Sequence, residues 1–189
     1  MLEPQADDSQ SQLLRRIAAQ EREALVEFYD QVAGVLFSTA CRILGDAHEA
    51  EEVIQDVFVQ IWEKAGTFDP QMGLALSWAL GIARNRSIDR LRARQRRSRL
   101  LTDLAEFAAV EAPQDEAPTG GGLAVDELAA VRRAVGELPM EQRRVIEMAF
   151  FAGLTHVEIA ERLNEPLGTV KARIRRGMLK LRDGLQAYV

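Results

Sequence analysis

Apolar residues recur along this chain in steps of three and four. From Leu25 they run Phe28, Tyr29, Val32, Leu36, Phe37, Ala40, Ile43 and Leu44, which puts one apolar stripe on one face of a helix. Gly45 ends the run, and Asp46-x-x-Glu49 has the form of a capping box that opens the next helix. That helix carries Ala50, Val53, Ile54, Val57, Phe58, Ile61, Trp62 and Ala65 on one side. Glu51, Glu52, Gln55, Asp56, Gln60 and Glu63 lie on the other. Gly66–Gly73, with Asp69-Pro70 inside it, reads as a loop. A third helix is predicted from about Leu74, with Leu76, Leu80, Ala83, Ile88 and Leu91 as its apolar side.

The pattern breaks at 101–127. Pro113, Pro118 and Gly120–Gly122 sit there among acids and alanines, with few large side chains to bury. This stretch is predicted to be a linker, most flexible from about 108 to 123, behind a frayed helix end. Periodicity then returns. Leu128, Val131, Val135 and Leu138 form a short amphipathic helix stopped by Pro139. Met140–Phe151 gives another, with Val145, Ile146, Ala149 and Phe150, and Gly153 breaks it. Thr155-x-x-Glu158 is a second capping box, opening a helix with Ile159, Ala160 and Leu163. After a tight turn at 164–168, Thr169 is placed to cap a last helix with the stripe Val170, Ile174, Met178, Leu181 and Leu185. Strand signals are nearly absent. The fold class expected is all-α, with domains at 1–100 and 128–189 joined by the 101–127 linker.

At 189 residues and 47% hydrophobic content the chain has enough to build one or two small cores. Its most apolar windows are about ten residues long, far short of the roughly 20 that span a bilayer, so no membrane insertion is expected. The first residues lack a basic start and an apolar core, so no secretory signal is expected either. One cysteine, Cys41, and two histidines, His48 and His156, give no basis for a disulfide or a metal site. Cys41 reads as a small buried hydrophobe and His156 as a surface residue. No cofactor or metal is expected, and a reducing cytoplasm is the expected compartment.

Net charge is −5, but the mean hides a separation. Arg84–Arg99 holds eight arginines and one acid, and Lys171–Arg182 holds six basic residues and no acid. Between them Asp103–Glu127 holds seven acids and no base. Two basic stripes on an acidic carrier suggest two surfaces that face a polyanion. The second stripe lies in a helix–turn–helix pattern: a short capped helix, a turn of about four residues, then a helix carrying Lys171, Arg173, Arg175 and Arg176 outwards. Such a helix fits the major groove of B-DNA, where its early side chains reach base edges and later cations reach phosphates. The small Ala160 lets the two helices approach closely.

Leu154-Thr155-His156-Val157-Glu158-Ile159-Ala160-Glu161-Arg162-Leu163, followed by Pro166-Leu167-Gly168-Thr169-Val170-Lys171-Ala172-Arg173-Ile174-Arg175-Arg176-Gly177, resembles region 4 of extracytoplasmic-function (ECF) sigma factors. Leu138-Pro139-x-x-Gln142-Arg143 is similar to the opening of that region. Ala50 to Trp62 resembles region 2.2. Phe68-Asp69-Pro70, the run from Trp78 to Asn85, and Asp89-Arg90-Leu91-Arg92 resemble regions 2.3 and 2.4. The likeness covers roughly 20–97 and 128–187, in family order.

The resemblance implies a sigma region 2 helical bundle and a sigma region 4 helix–turn–helix, with a division of labour between them. Glu51, Glu52, Gln55, Asp56 and Gln60 would bind core RNA polymerase. Taken alone, that polar face also reads as an ordinary solvated helix surface. Phe68, Asp69, Gln71 and Met72 of the loop, with Asn85, Arg86, Asp89, Arg92, Arg96 and Arg97 of the helix, would read and open the −10 element. A flipped base needs a pocket and the backbone needs cations. Trp78 reads as core. Thr169, Lys171, Arg173, Arg175 and Arg176 would serve the −35 element, with Arg173 or Arg176 reading bases and Lys171 holding phosphate. The alternative for these cations is surface pairing with Glu161 and Glu165. The partners implied are core RNA polymerase (its β′ clamp helices and β flap), promoter DNA and an anti-sigma factor. The Phe68–Pro70 loop and the 166–171 turn are similar to a subgroup held inactive by membrane-bound anti-sigma factors.

Two other classes compete. A stand-alone helix–turn–helix regulator explains the second domain but neither the Glu51–Trp62 motif nor the basic helix at 84–97. An enzyme on nucleic acid lacks a nucleotide-binding loop, since no Lys-Ser/Thr follows Gly120–Gly122, and no metal cluster or nucleophile–base pair stands out.

Overall fold

The computed structural model describes residues 5–102 and 133–186, which fall in two compact units, Met1–Gly122 and Leu123–Val189. All regular structure among the described residues is helical. The expected linker lies outside them, apart from residues 101 and 102, which close a helix. Leu128 and Val131 of the expected short helix, and the acidic stretch from Asp103, lie outside them too.

The first unit contains α1 (Gln5–Ala18), α2 (Arg22–Leu44), α3 (Ala47–Lys64), a 3₁₀ turn (Ala65–Thr67) and α4 (Ala75–Thr102). Helices α2, α3 and α4 pack pairwise, and α1 packs chiefly on α2 and the 3₁₀ turn. The predicted stripes of α2 and α3 form the core, except for Tyr29, which is 48% exposed: Phe28, Val32, Leu36, Val57 and Ile61 are fully buried. Gly45 closes α2 at φ 67°, a left-handed conformation that glycine adopts without strain. Asp46 caps α3 by accepting the Glu49 amide at 2.9 Å. The reciprocal half of that box is replaced, because the Glu49 carboxylate turns to Arg94.

Helix α1 was not expected, although Leu13, Leu14 and Ile17 supply its buried face. It ends in a Schellman turn with Gln20 at φ 65°: Glu21 N–H donates to the Arg16 carbonyl and Gln20 N–H to that of Ile17. Arg16 also pairs with Glu21 and Glu27 across the turn.

The predicted stripe of α4 is rotated in the structure. Ala75, Ala79, Ala83 and Ser87 are the fully buried positions, Ile88 is nearly so, and Leu76, Leu80 and Leu91 are half-buried. Small side chains let the α4 backbone sit close to α2 and α3 while the leucines close the edges. The Ser87 hydroxyl donates to the Ala83 carbonyl at 2.8 Å, so its burial leaves no unpaired hydroxyl.

In the second unit residues 133–136 are helical, followed by α5 (Met140–Phe150), α6 (His156–Leu163) and α7 (Leu167–Gln186). Helix α7 packs on both α5 and α6 over a small core of Val145, Ile159, Ala160 and Val170. The Thr155–Glu158 capping box forms in full. Two expectations are corrected. Helix α7 begins at Leu167, so Thr169 is its third residue and does not cap it. Asn164 at φ 51° turns the chain so sharply that the Pro166 carbonyl already accepts the Thr169 and Val170 amides. Met178 is 53% exposed, and Gly177 takes its place on the inner face. A Cβ at Gly177 would stand 2.6 Å from Ile146 Cδ1, so α5 meets α7 at bare backbone.

Candidate functional site

Because the apolar stripe of α3 is buried, its polar face is turned outwards. Glu51, Glu52, Gln55 and Asp56 are exposed and Gln60 is half-buried. Val59, 58% exposed, adds an apolar centre to this face that the sequence reading missed. Its only signal was an apolar residue standing off the stripe.

Along one edge of the face, α3 and α4 run antiparallel and build a polar ladder. Arg86 Nε donates to Gln60 Oε1 at 2.9 Å, Arg90 Nη2 to Glu52 Oε2 at 2.5 Å and Arg94 Nη1 to Glu49 Oε2 at 3.1 Å. The four-residue spacing of the arginines keeps them on one side of α4. Arg94 also donates to the Leu44 carbonyl at 2.9 Å, satisfying a terminal acceptor of α2. So Glu52 and Gln60, expected to face polymerase, are already engaged with cations of α4, while Glu51, Gln55 and Asp56 lie on the open part of the face.

Near the end of α3 the structure forms an open cleft of about 430 Å³, lined by Gln60, Lys64, Thr67, Trp78, Ile82, Asn85, Arg86 and Asp89. Three of the −10 candidates, Asn85, Arg86 and Asp89, are brought together there. Arg92, Arg96 and Arg97 are exposed further along α4. Burial, with the charge of Arg92 behind it, pushes the Arg84 guanidinium below its ordinary range.

The loop candidates divide. Phe68 is half-buried, its ring 5.8 Å from that of Trp78, and both pack on the core. Asp69 folds the loop on itself, accepting the Gln71 amide at 2.9 Å. Gln71 and Met72 are exposed, Met72 by 86%. None of Phe68, Asp69, Gln71 and Met72 lines the cleft. Cys41 is half-buried against the core, and burial, with the charges of Glu51 and Asp46, raises its thiol. His156 is exposed.

In the second unit Lys171, Arg175 and Arg176 of α7 are exposed, and Thr169 is half-buried. Arg176 Nε donates to the Ala172 carbonyl at 3.3 Å. Arg173 departs from the expectation that it projects outwards. Its side chain is only 17% exposed, with Nη1 on the Glu165 carboxylate and Nη2 3.0 Å from Glu141 Oε2. The Glu165 hydrogen bond raises its guanidinium above the ordinary range. Glu165 was weighed as a partner from its nearness in sequence. Glu141, on α5, carried no sequence signal.

Two family models match the chain: sigma-70 region 2 over residues 28–97 and sigma-70 region 4 over residues 134–183. The ECF RNA polymerase sigma factor SigK of Mycolicibacterium vanbaalenii is 36% identical over 174 residues, 92% of this chain and 87% of that protein. The protein of the same name from Mycobacterium tuberculosis is 33% identical over 182 residues, 96% of each chain. Among solved structures, Rhodobacter sphaeroides SigE in complex with the anti-sigma ChrR is similar at 31% identity, covering 96% of this chain and 99% of that one with a TM-score of 0.49.

Proposed function

The chain belongs to the ECF group of sigma-70-family RNA polymerase sigma factors, and from that premise we propose that it docks on core RNA polymerase and directs it to promoters bearing particular −10 and −35 elements. The open face of α3, with Glu51, Gln55, Asp56 and the exposed Val59, binds the β′ clamp helices. The second unit reaches the β flap. The cleft with Asn85, Arg86 and Asp89, the Gln71–Met72 tip and the outer cations Arg92, Arg96 and Arg97 engage the −10 region. Lys171, Arg175 and Arg176 engage the −35 region. The chain does no chemistry of its own, needs no cofactor or metal, and works where polymerase works, in the cytoplasm. An anti-sigma factor, of the membrane-bound kind, holds it inactive.

One observation carries this reading: α3 presents an exposed acidic face on a fully built core, in the same unit as a cleft lined by promoter-facing candidates. Asp56→Arg tests it. An exposed acid usually affects stability by less than about 0.5 kcal/mol, whereas a reversed charge set against a complementary partner lowers affinity. Titration of core polymerase is expected to show a several-fold weaker complex at unchanged helicity. A wild-type titration curve removes α3 from the interface.

A further inference from the structure

We infer that Arg173, although it sits in the recognition helix, is a positioning residue that ties α7 to the preceding turn and to α5, and reads no base. The inference rests on the proposed −35 role of α7 and says how that helix is held.

Arg173 is at the edge of α7. One turn-face of the helix, Val170, Ile174 and Gly177, is turned to the core, and Lys171, Arg175 and Arg176 are exposed. Arg173 lies between these faces. Its two terminal nitrogens go to different elements, Nη1 to Glu165 in the turn and Nη2 to Glu141 at the start of α5. Glu165 is itself fixed, because its amide donates to the Ala160 carbonyl in the turn that closes α6. One guanidinium therefore ties α7 to the turn that follows α6 and to the start of α5, beside the cluster of Val145, Ile159, Ala160 and Val170.

The same geometry argues against base reading. An arginine reads guanine with a fork of two N–H groups on the O6 and N7 edge. To present that fork Arg173 would have to leave both carboxylates. Two acids would then stand bare beside the groove-facing end of α7, where they repel phosphate. In place, Arg173 pairs with both acids and offsets one of their two charges, which leaves less negative charge beside Lys171, Arg175 and Arg176.

Charge reversal separates the two roles, using the full chain with core polymerase and run-off transcription. The readout is the ratio of transcript from a promoter with its −35 element to transcript from one with that element scrambled. Arg173→Glu lowers the ratio whether the residue positions or reads. Arg173→Glu combined with Glu165→Arg, in a Glu141→Gln background, re-forms the tie with its ends exchanged. The positioning role predicts that this triple variant recovers most of the ratio. It also predicts that Arg173→Ala weakens all −35 sequences alike with the salt slope unchanged. Helicity at the assay temperature, read by circular dichroism, is expected to match wild type, so loss of fold does not account for a lower ratio. A triple variant as inactive as Arg173→Glu overturns the inference. So does an Arg173→Ala variant that relaxes preference at one base or lowers the salt slope by about one. Lys171→Ala and Arg176→Ala run alongside. If both keep the full ratio, the recognition-helix reading falls and the inference with it. If they lose it and the triple variant stays inactive, the positioning role alone falls.

Discussion

Helix α4 sets Arg86, Arg90 and Arg94 against Gln60, Glu52 and Glu49 of α3, its earlier turns join a core drawn from four helices, and Arg92, Arg96 and Arg97 are exposed beyond it. Helix α7 spends Arg173 on two acids and carries Lys171, Arg175 and Arg176 over a core of four buried residues. In the first unit the polar ladder is an addition to a core that holds without it. In the second, a small apolar cluster, one capping box and one shared guanidinium hold α7. A charge-rich helix is thus a surface in one unit and part of the scaffold in the other.

The largest expected break in this comparison comes from the cores. Ile159→Ala truncates a fully buried side chain of the small cluster it forms with Val145, Ala160 and Val170, at a cost of about 2–5 kcal/mol, and is expected to melt the second unit at a temperature where the first stays helical. Leu36→Ala, with a similar local cost, should leave its unit folded, because Phe28, Val32, Val57 and Ile61 remain around it. Thermal unfolding followed by amide exchange in each unit decides this; equal exchange in both units for both variants contradicts it.

The caps come next. Thr155→Ala takes away the hydroxyl that accepts the Glu158 amide, leaving the α6 box only the bond from the Thr155 amide to the Glu158 carboxylate, and should cost about 1 kcal/mol, felt by the second unit. Asp46, the cap of α3, has its carboxyl held below the usual range by the Glu49 amide. A depressed carboxylate contributes stability that is complete above its unfolded value and lost as pH falls through the folded one. Asp46→Asn should therefore flatten the acid limb of the first unit's stability and leave neutral pH little changed. A wild-type acid limb would place that dependence elsewhere.

The smallest effect is expected from the ladder. Arg90→Gln breaks a pair whose partners are 36% and 47% exposed, worth at most about 1 kcal/mol. A melting shift as large as that of Ile159→Ala would show that the ladder, and not the core, holds α4.

Most helices could be read from the sequence, because steps of three and four survive wherever a face is buried. The stripes of α2 and α3 and the Thr155 box follow from local pattern alone. Helix α1 was missed because its apolar residues, Leu13, Leu14 and Ile17, stand in a mostly polar window. The α4 stripe came out rotated because leucines outweigh alanines in a periodicity count, whereas packing chose the alanines for close approach. Thr169 looked like a cap because threonine caps well, yet after the left-handed Asn164 α7 starts at Leu167, three residues before a Thr169 cap would start it. In the site, the exposure of Glu51, Glu52, Gln55 and Asp56 on α3 and of Lys171, Arg175 and Arg176 on α7 followed from the pattern, whereas that of Val59 and Met178 and the burial of Arg173 did not. The engagement of Glu52 by Arg90 and of Glu141 by Arg173 did not, since those pairs are 38 and 32 residues apart in sequence and only the fold brings them together.

The central claim is that the two promoter-facing surfaces act together once polymerase fixes their spacing. Docking on one large partner raises the effective concentration of each surface for its element. Fluorescence anisotropy of a promoter duplex, titrated first with the chain alone and then with the chain on core polymerase, tests this directly. The account predicts weak binding by the free chain and tight binding, dependent on both elements, by the complex. Tight and specific binding by the free chain, equal to that of the complex, would contradict it.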